Sequence, residues 1–335
     1  MAHMTAAHRV LATLAGQQVD RPPVSFWHHF PPAAVFGPPA VDAHLKHLQR
    51  YELDFLKVMN DNAYPTRSSI RSAADLRDVP VLRGDEDAYV RQIDLIHTLA
   101  EALGERTLLI TTIFNAWTVL RRIATPPTDA RRRAPVVSAP ASPADARMEE
   151  LIAEDRTAVG MALDVVAMSQ AKFAKQCIEA GADGIFLSVR DDHVDTPANG
   201  ASTYDEMVRL GDGQILTAAR GGRFNMLHVC GVPRNFDAFA DYPVHAINWA
   251  DRTAGPAIRD VVAKIDPVVC GGVDNLTTLA TGSPKDVEGE VRDALEQSGE
   301  RSVIISAGCT YDPDVVPPAN LEAMVRATRT PGDQA

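Results

Sequence analysis

A histidine and a cysteine two residues apart, with another cysteine far along the chain, are the residues best suited to chemistry. They are His228, Cys230 and Cys309. Residues i and i+2 of a β-strand project from the same face, so the first two side chains can reach one ion. An imidazole and two thiolates suit zinc better than magnesium or calcium, which prefer oxygen ligands. Three protein ligands leave one position open, as in a catalytic zinc site.

The spacing alone leaves a second interpretation open. A His-x-Cys pair is weak evidence for a metal, and a cysteine at a strand end is often a small buried hydrophobic residue. Cys177 lies in a helical pattern and is interpreted as packing. Cys270 lies in the middle of a predicted strand, where it is either part of the core or a replacement ligand.

Eight short apolar runs rich in β-branched residues predict the elements that position these side chains. Such runs are typical of strands buried on both faces of a parallel sheet. Helical patterns at 156–180, 286–297 and 320–328, the last opened by Asn320 as a cap, alternate with some of them. The alternation predicts an α/β fold, and eight repeats favour one closed (β/α)8 TIM barrel over residues 4–330. The predicted strands are 23–30, 55–60, 107–115, 184–189, 224–230, 244–249, 267–273 and 302–309.

Two segments do not fit this alternation. Residues 126–147 are rich in Pro, Ala, Arg and Ser without an apolar period, which predicts a long loop over the carboxyl ends of the strands. Residues 1–3 resemble a cloning remnant and are left out of the predicted domain.

Further polar residues follow the predicted strands, where barrel enzymes carry their functional groups. Each of these residues is either a substrate contact or a structural hydrogen-bonding group, and the sequence leaves both interpretations open. Tyr204 is placed differently, because it opens the helix after the fourth predicted strand. The candidate substrate-binding residues are His28, His29, Asn115, Tyr204, Asn248 and Asp274.

The amino-acid composition indicates which binding partners and which cellular compartment to expect. The formal net charge of -11 argues against a nucleic-acid partner, because phosphate binding needs clustered Lys and Arg. No stretch approaches the roughly 18 consecutive apolar residues of a membrane helix. The 4 cysteines among 335 residues are too few for a disulfide scaffold. We therefore expect a cytoplasmic protein.

Several segments resemble the uroporphyrinogen decarboxylase superfamily. Residues 7–11 (AHRVL) and 16–24 (GQQVDRPPV) are similar to its opening, and 271–274 (GGVD) to its Gly-Asn-Val-Asp segment. Residues 306–309 (SAGC), followed by 317–321 (PPANL), are similar to its closing strand and helix. The similarity runs from about residue 7 to residue 328 and is weakest between 120 and 155. It implies a (β/α)8 barrel with the active site at the carboxyl ends of the strands.

The resemblance also separates two branches of the superfamily. The decarboxylases carry an Arg-Gln-Ala-Gly-Arg segment after the first strand, where residues 26–32 read FWHHFPP without an arginine. The other branch contains zinc methyltransferases that methylate coenzyme M or serve corrinoid-dependent demethylation. Its mark, His-x-Cys followed much later by Cys, is matched by His228, Cys230 and Cys309. The resemblance therefore implies a zinc site at these three residues.

The function expected from this resemblance is zinc-dependent methyl transfer between a corrinoid or methylated small molecule and a zinc-activated thiol. Residues 191–196 lack the glycine of the Asp-x-His-x-x-Gly corrinoid motif. A corrinoid would therefore arrive free or on a separate protein. A homodimer is also expected, because relatives often form dimers. Two alternatives stay open: a metal-free decarboxylase of a small or tetrapyrrole acid, and a non-catalytic barrel that binds a thiol or a corrinoid protein.

Overall fold

Seven parallel strands form one sheet whose order follows the sequence. The computed structural model describes residues 4–66, 70–125 and 142–329. The strands are β1 Phe55–Val58, β2 Leu108–Phe114, β3 Gly184–Val189, β4 Met226–Val229, β5 Ala246–Trp249, β6 Val268–Val273 and β7 Val303–Ala307. Each strand lies within one predicted range, so seven of the eight predicted strands are confirmed.

Helices follow the strands and cover the outer face of the sheet. The first, α1, precedes β1 and packs across one end of the strands. The helices are α1 Ala6–Leu14, α2 Gly37–Tyr51, α3 Asp87–Leu103, α4 Ala116–Ile123, α5 Pro143–Glu179, α6 Thr203–Met207, α7 Arg209–Ala218, α8 Ile258–Val261, α9 Thr278–Thr281, α10 Pro284–Ser298 and α11 Pro318–Ala327. Short 3-10 helices occur at Pro32–Ala34, Ala73–Asp78, Gly104–Arg106 and Phe236–Phe239. None of the described helices is long and apolar enough to cross a membrane.

The segment around Val24 lies between the two ends of this sheet. A parallel bridge joins Val24 to Ile305 of β7, and the amide of Asp54, just before β1, donates to the carbonyl of Val24 (2.9 Å). The predicted strand over 23–30 is therefore wrong in extent, since only this bridge forms. Pro22 and Pro23 provide no amide hydrogens for a ladder that extends before Val24. The result is a parallel α/β fold with a curled sheet, consistent with a barrel of the TIM type.

Side chains alternate between two apolar cores along each strand. Those of Phe55, Met226 and Ile304 point into the curled sheet, where Ala7 and Val10 of α1 also pack. Their neighbours on the strands face the surrounding helices. Because the period is two residues, a polar residue in register with the inner set lies in the interior of the sheet.

The helix α5 is kinked at Asp155, so the helix predicted over 156–180 is its second part, and a first part that was not predicted precedes it. Ser142 caps it, Asp145 completes a capping box, and Pro143 occupies the first turn, all of which favour a helix start. The loop prediction is therefore wrong for residues 142–147, while residues 126–141 lie outside the described residues. Asn320 is another correction, because α11 begins at Pro318. Its buried amide donates to the carbonyls of Leu279 and Gly282 (both 2.9 Å).

Candidate metal centre

His228 lies in β4 with its imidazole inside the curled sheet. Its side chain is buried, and the ring of Phe186 from β3 stacks on it with centroids 5.1 Å apart. Its Nδ1 is 2.6 Å from Oδ1 of Asn248, the residue paired with it in β5. An amide oxygen only accepts, so His228 donates through Nδ1. The lone pair of Nε2 is therefore free to bind a metal.

Asn248 has a fixed orientation because all its polar atoms have partners. Its Nδ2 donates to the carbonyls of Cys270 (2.8 Å) and Ala307 (3.1 Å), which leaves Oδ1 for His228. Asn248 is one of the candidates for which both a substrate contact and a structural hydrogen bond are expected from the sequence. The structure places it behind the imidazole, where its contacts orient a candidate ligand.

Cys230 directly follows β4 and extends its hydrogen bonding by one residue. Its amide donates to the carbonyl of Val189 in β3 (2.8 Å). The next residue, Gly231, has a φ of +86°, and a Cβ there would lie 2.2 Å from Oδ2 of Asp192. Glycine is therefore required for the turn that leaves Cys230 at the end of the strand. Arg190 holds Asp192 with two hydrogen bonds of 2.7 Å.

Cys309 reaches the same place from β7. Its predecessor Gly308 packs so closely on β5 that a Cβ would lie 2.6 Å from the Cα of Ala250. The Sγ of Cys309 is 3.5 Å from Nε2 of His228. The ligand atoms of His228, Cys230 and Cys309 all lie within 4.8 Å of one another. The structure thus brings together the three residues that the sequence analysis singled out.

The thiols of Cys230 and Cys309 have opposite pKa shifts, because one hydrogen bond joins them. A hydrogen bond from Cys230, with contributions from Thr310 and the charge of Lys57, lowers the pKa of Cys309 to about 7. The same hydrogen bond, together with burial, raises the pKa of Cys230. Cys309 therefore has the lower thiol pKa of the two, and a thiolate is the form that binds metals.

Sequence comparison assigns the chain to a family. The family model described as Uroporphyrinogen decarboxylase (URO-D) matches residues 57–331, which is most of the chain. The chain belongs to this family. The resemblance found in the sequence analysis is thereby confirmed. A search of curated proteins finds no match.

We compared the fold of this URO-D family member with two solved structures that resemble it. One is a methyltransferase from Methanosarcina mazei, with 17% identity, a TM-score of 0.73 and coverage of 97% of this chain and 98% of that chain. The other is a B12-independent methionine synthase from Shewanella sp. W3-18-1 in complex with selenomethionine. It has 12% identity, a TM-score of 0.53 and coverage of 86% and 85%. At these identities the similarity shows a shared fold, with methyltransferases among its members.

One charged residue of this URO-D family member escaped the sequence analysis. Lys57 lies in β1 between Phe55 and Met59, in register with the inner set, and only 5% of it is exposed. Burial lowers its pKa to about 7. Its position between two inward apolar residues was the available signal, since a lysine in that register points into the sheet.

Three of the predicted substrate contacts lie at strand ends but have protein partners. His28 Nδ1 is 2.9 Å from the carbonyl of His29. Nδ1 of His29 in turn lies 2.7 Å from Oδ1 of Asp61, just beyond β1. Asn115 caps α4 by accepting a hydrogen bond from the amide of Thr118 (3.0 Å). Their roles in substrate binding stay predictions.

The other two candidates also have partners within the protein. Asp274 accepts hydrogen bonds from Thr277 and from the amide of Leu276 (2.7 Å), which forms a turn after β6. Tyr204 is buried, and its hydroxyl donates to Asp212 of α7 (2.5 Å). A role for either in substrate binding is likewise still a prediction.

The remaining cysteines lie apart from the three candidate ligands. Cys270 is buried in β6, and burial raises the pKa of its thiol to about 12. Cys177 of α5 is buried in the outer apolar core, which agrees with its interpretation as a packing residue. Among the described residues, neither belongs to the group whose ligand atoms lie close enough to share an ion.

Proposed function

We propose that this protein is a zinc-dependent methyltransferase that moves a methyl group between a corrinoid or methylated small molecule and a zinc-activated thiol. The observation that carries the proposal is the convergence of His228, Cys230 and Cys309 within 4.8 Å. They lie at the carboxyl ends of β4 and β7, the edge where barrel enzymes carry their active sites.

The chemistry of the donor set fits zinc. Two sulfurs and one imidazole nitrogen are ligands that zinc prefers, and the set leaves a fourth position for a substrate. Zinc bonds of about 2.0–2.3 Å separate tetrahedral ligand atoms by roughly 3.3–3.8 Å. The 3.5 Å between Cys309 Sγ and His228 Nε2 lies in this range. Asn248 supports the same assignment, because its hydrogen bond to Nδ1 leaves Nε2 for the metal.

The protein side chains would prepare the site for a thiol acceptor. Bound zinc supplies a Lewis acid that deprotonates a coordinated thiol and so provides a nucleophilic sulfur at neutral pH. Asn248 fixes the imidazole of His228 from behind, and Phe186 covers its face. The buried interior limits access of water to the reacting sulfur. The methyl donor, whether a free corrinoid, a corrinoid protein or a methylated small molecule, would approach the open edge of the sheet.

The decarboxylase alternative has weaker support, although it matches the family's name. A site that binds the carboxylates of a tetrapyrrole needs arginines, which form paired hydrogen bonds to carboxylates. Residues 26–32 have none. Two thiols and an imidazole are instead suited to a soft metal.

Metal analysis of cysteine variants tests the zinc site. We expect about one zinc per chain in the purified protein, and its loss in Cys230→Ser and Cys309→Ser because each change removes a thiolate ligand. Cys177→Ala is the matched control, since this cysteine is buried in α5 far along the chain from the site. Equal zinc content in all four proteins would overturn the proposed ligands.

A spectroscopic assay tests the reaction. The zinc protein is incubated with methylcobalamin and a panel of thiols while the corrinoid absorbance is followed. Demethylation of the corrinoid that depends on Cys309 and on a thiol supports methyl transfer. A zinc-loaded protein that consumes a porphyrinogen but transfers no methyl group from methylcobalamin would favour the decarboxylase.

Two broader features complete the proposal. We propose that the segment at Val24 acts as the eighth strand, so that the sheet closes into a (β/α)8 barrel. Its bridge to Ile305 and the hydrogen bond from the amide of Asp54 support this closure.

We also propose a cytoplasmic location, because all four cysteines are free and the site needs two of them reduced.

A further inference from the structure

Lys57 is an unusual residue for the interior of a sheet. Its Nζ lies 2.9 Å from the thioether sulfur of Met59. The same atom lies 4.5 Å from the ring centroid of Phe186 and 5.6 Å from that of Trp27. The surroundings of this ammonium are thus a weak sulfur acceptor and two aromatic faces.

No carboxylate among residues 4–66, 70–125 and 142–329 forms an ion pair with Lys57. The cation–π contacts offset part of the cost of burying the ammonium, but not all of it. The carboxylate of Asp61 attracts the ammonium from beyond ion-pair distance. A buried charge without a directly bonded anion destabilises the folded protein. A function at the site would explain why the charge is present.

The ammonium lies next to the candidate metal centre. The ring of Phe186 contacts both, since it stacks on His228 and lies under Nζ of Lys57. Lys57 is therefore a cation through which the interior can respond to a change of charge at the metal. Arg190 is another cation near the candidate ligands, but it donates two hydrogen bonds to Asp192.

The proposed function predicts such a change of charge, and this step rests on that proposal. A dication with the thiolates of Cys230 and Cys309 is neutral. A bound acceptor thiolate makes the centre negative by one unit, whereas a neutral ligand does not. A net charge in a buried site is costly unless an opposite charge lies close by.

We propose that Lys57 supplies the positive charge that holds the acceptor thiol as a thiolate. Binding would break the S–H bond of the thiol, and its proton would leave to the buffer or to Lys57 in those molecules where the amine is neutral. Lys57 is a positioning residue in this scheme, because it stabilises the charge of the centre and exchanges no atoms with the substrate. It makes the site selective for ligands that bind as anions.

Ligand binding to the zinc-loaded protein tests this role. The probes are 2-mercaptoethanol, which becomes charged only as a thiolate, and imidazole, which binds a metal in its neutral form. Calorimetry in two buffers of different ionisation enthalpy gives both the affinity and the number of protons released. Lys57→Met should weaken thiol binding at pH 7 by about tenfold or more, because a nearby opposite charge shifts an ionisation by about one unit or more. Imidazole affinity should change by less than about twofold.

Lys57→Arg is the matched variant that keeps the charge. It should recover thiol affinity to within about threefold of the wild type and release at least as many protons, because an arginine is already fully protonated at pH 7. Unchanged thiol affinity in Lys57→Met, or an equal loss for thiol and imidazole, would overturn the role of Lys57. Zinc content is measured for each variant, so that a misfolded site is recognised. A wild type that binds zinc but no thiol would instead overturn the proposed acceptor, and with it this role.

Discussion

Two buried charges near opposite ends of β1, those of Asp54 and Lys57, have opposite surroundings. At the amino edge, Asp54 accepts hydrogen bonds from Arg9 (2.5 Å), Arg21 (2.7 Å) and the amide of Val24 (2.8 Å). Three residues later in the chain, Lys57 has a thioether and two aromatic rings around its ammonium. Breaking a buried ion pair is costly, whereas a buried cation without a directly bonded anion is a candidate for a functional site. We interpret Asp54 as structural and Lys57 as part of the proposed site.

Breaking the paired end should have the largest effect on stability. Asp54→Ala leaves the guanidinium of Arg9, a buried residue, without one of its carboxylates. We expect the free energy of unfolding to fall by about 3–5 kcal/mol, as measured by urea titration. Asp42→Ala, which breaks an exposed pair with Lys46, is the control and should cost less than about 1 kcal/mol. A loss below 1 kcal/mol for Asp54→Ala would contradict a structural role for the amino edge.

Asp212 sharpens the comparison, since it is a buried carboxylate that accepts hydrogen bonds from neutral groups. The hydroxyls of Tyr204 (2.5 Å) and Tyr242 (3.0 Å) donate to it. Burial outweighs these bonds and raises its pKa from 3.8 to about 6. Between these two values the folded state binds more protons than the unfolded state. Stability should therefore fall as the pH rises from 4 to above 6, by up to about 3 kcal/mol.

The variant Asp212→Asn isolates this contribution. It removes the titrating group, so the difference in unfolding free energy between wild type and variant should change with pH over this window. Urea titrations at pH 4, 5, 6 and 7 measure that difference. Asp251→Asn is a useful second variant, because burial also raises the pKa of Asp251 to about 6. A difference independent of pH for Asp212→Asn would show that the tyrosines already compensate the charge.

At the carboxyl edge, the partner of His228 should affect metal affinity more than stability. Asn248→Ala removes the acceptor that orients the imidazole. We expect zinc affinity to fall by about 10–100-fold, measured by competition with a chromophoric chelator. Asn248→Asp keeps an acceptor for Nδ1 and should bind zinc more tightly than the alanine variant. Equal zinc affinity in wild type and Asn248→Ala would mean that His228 is oriented by other contacts.

Much of the fold was predictable, because buried parallel strands leave clear apolar runs. The strand over 23–30 was wrong in extent because an apolar run does not show which amides find partners. Pro23 removes one of them, and the pairing ends after one bridge. The capped start of α5 was missed at residues 142–147, although Ser142 and Asp145 have the spacing of a capping box.

The site was predictable in its types of residue but not in their partners. The His-x-Cys pair and Cys309 stand out by spacing, and the structure brings them together. The sequence could not show that Asn248 contacts His228, because a single amino-acid sequence does not give the register in which two strands pair. Lys57 was missed because a lysine is usually exposed, and only the alternation along β1 places it inside.

The smallest effect we predict is a gain in stability at the carboxyl edge. Lys57→Met in the metal-free protein replaces a buried ammonium by an apolar chain of similar length among Met59, Phe186 and Trp27. The free energy of unfolding at pH 7 should rise by about 1–2 kcal/mol, since lost cation–π contacts offset part of the gain. Burial lowers the pKa of Lys57 to about 7, so wild-type stability rises from pH 7 towards 10 and the gain shrinks. A loss of stability in Lys57→Met would place this lysine with the paired charges of the amino edge and remove the contrast between the two ends.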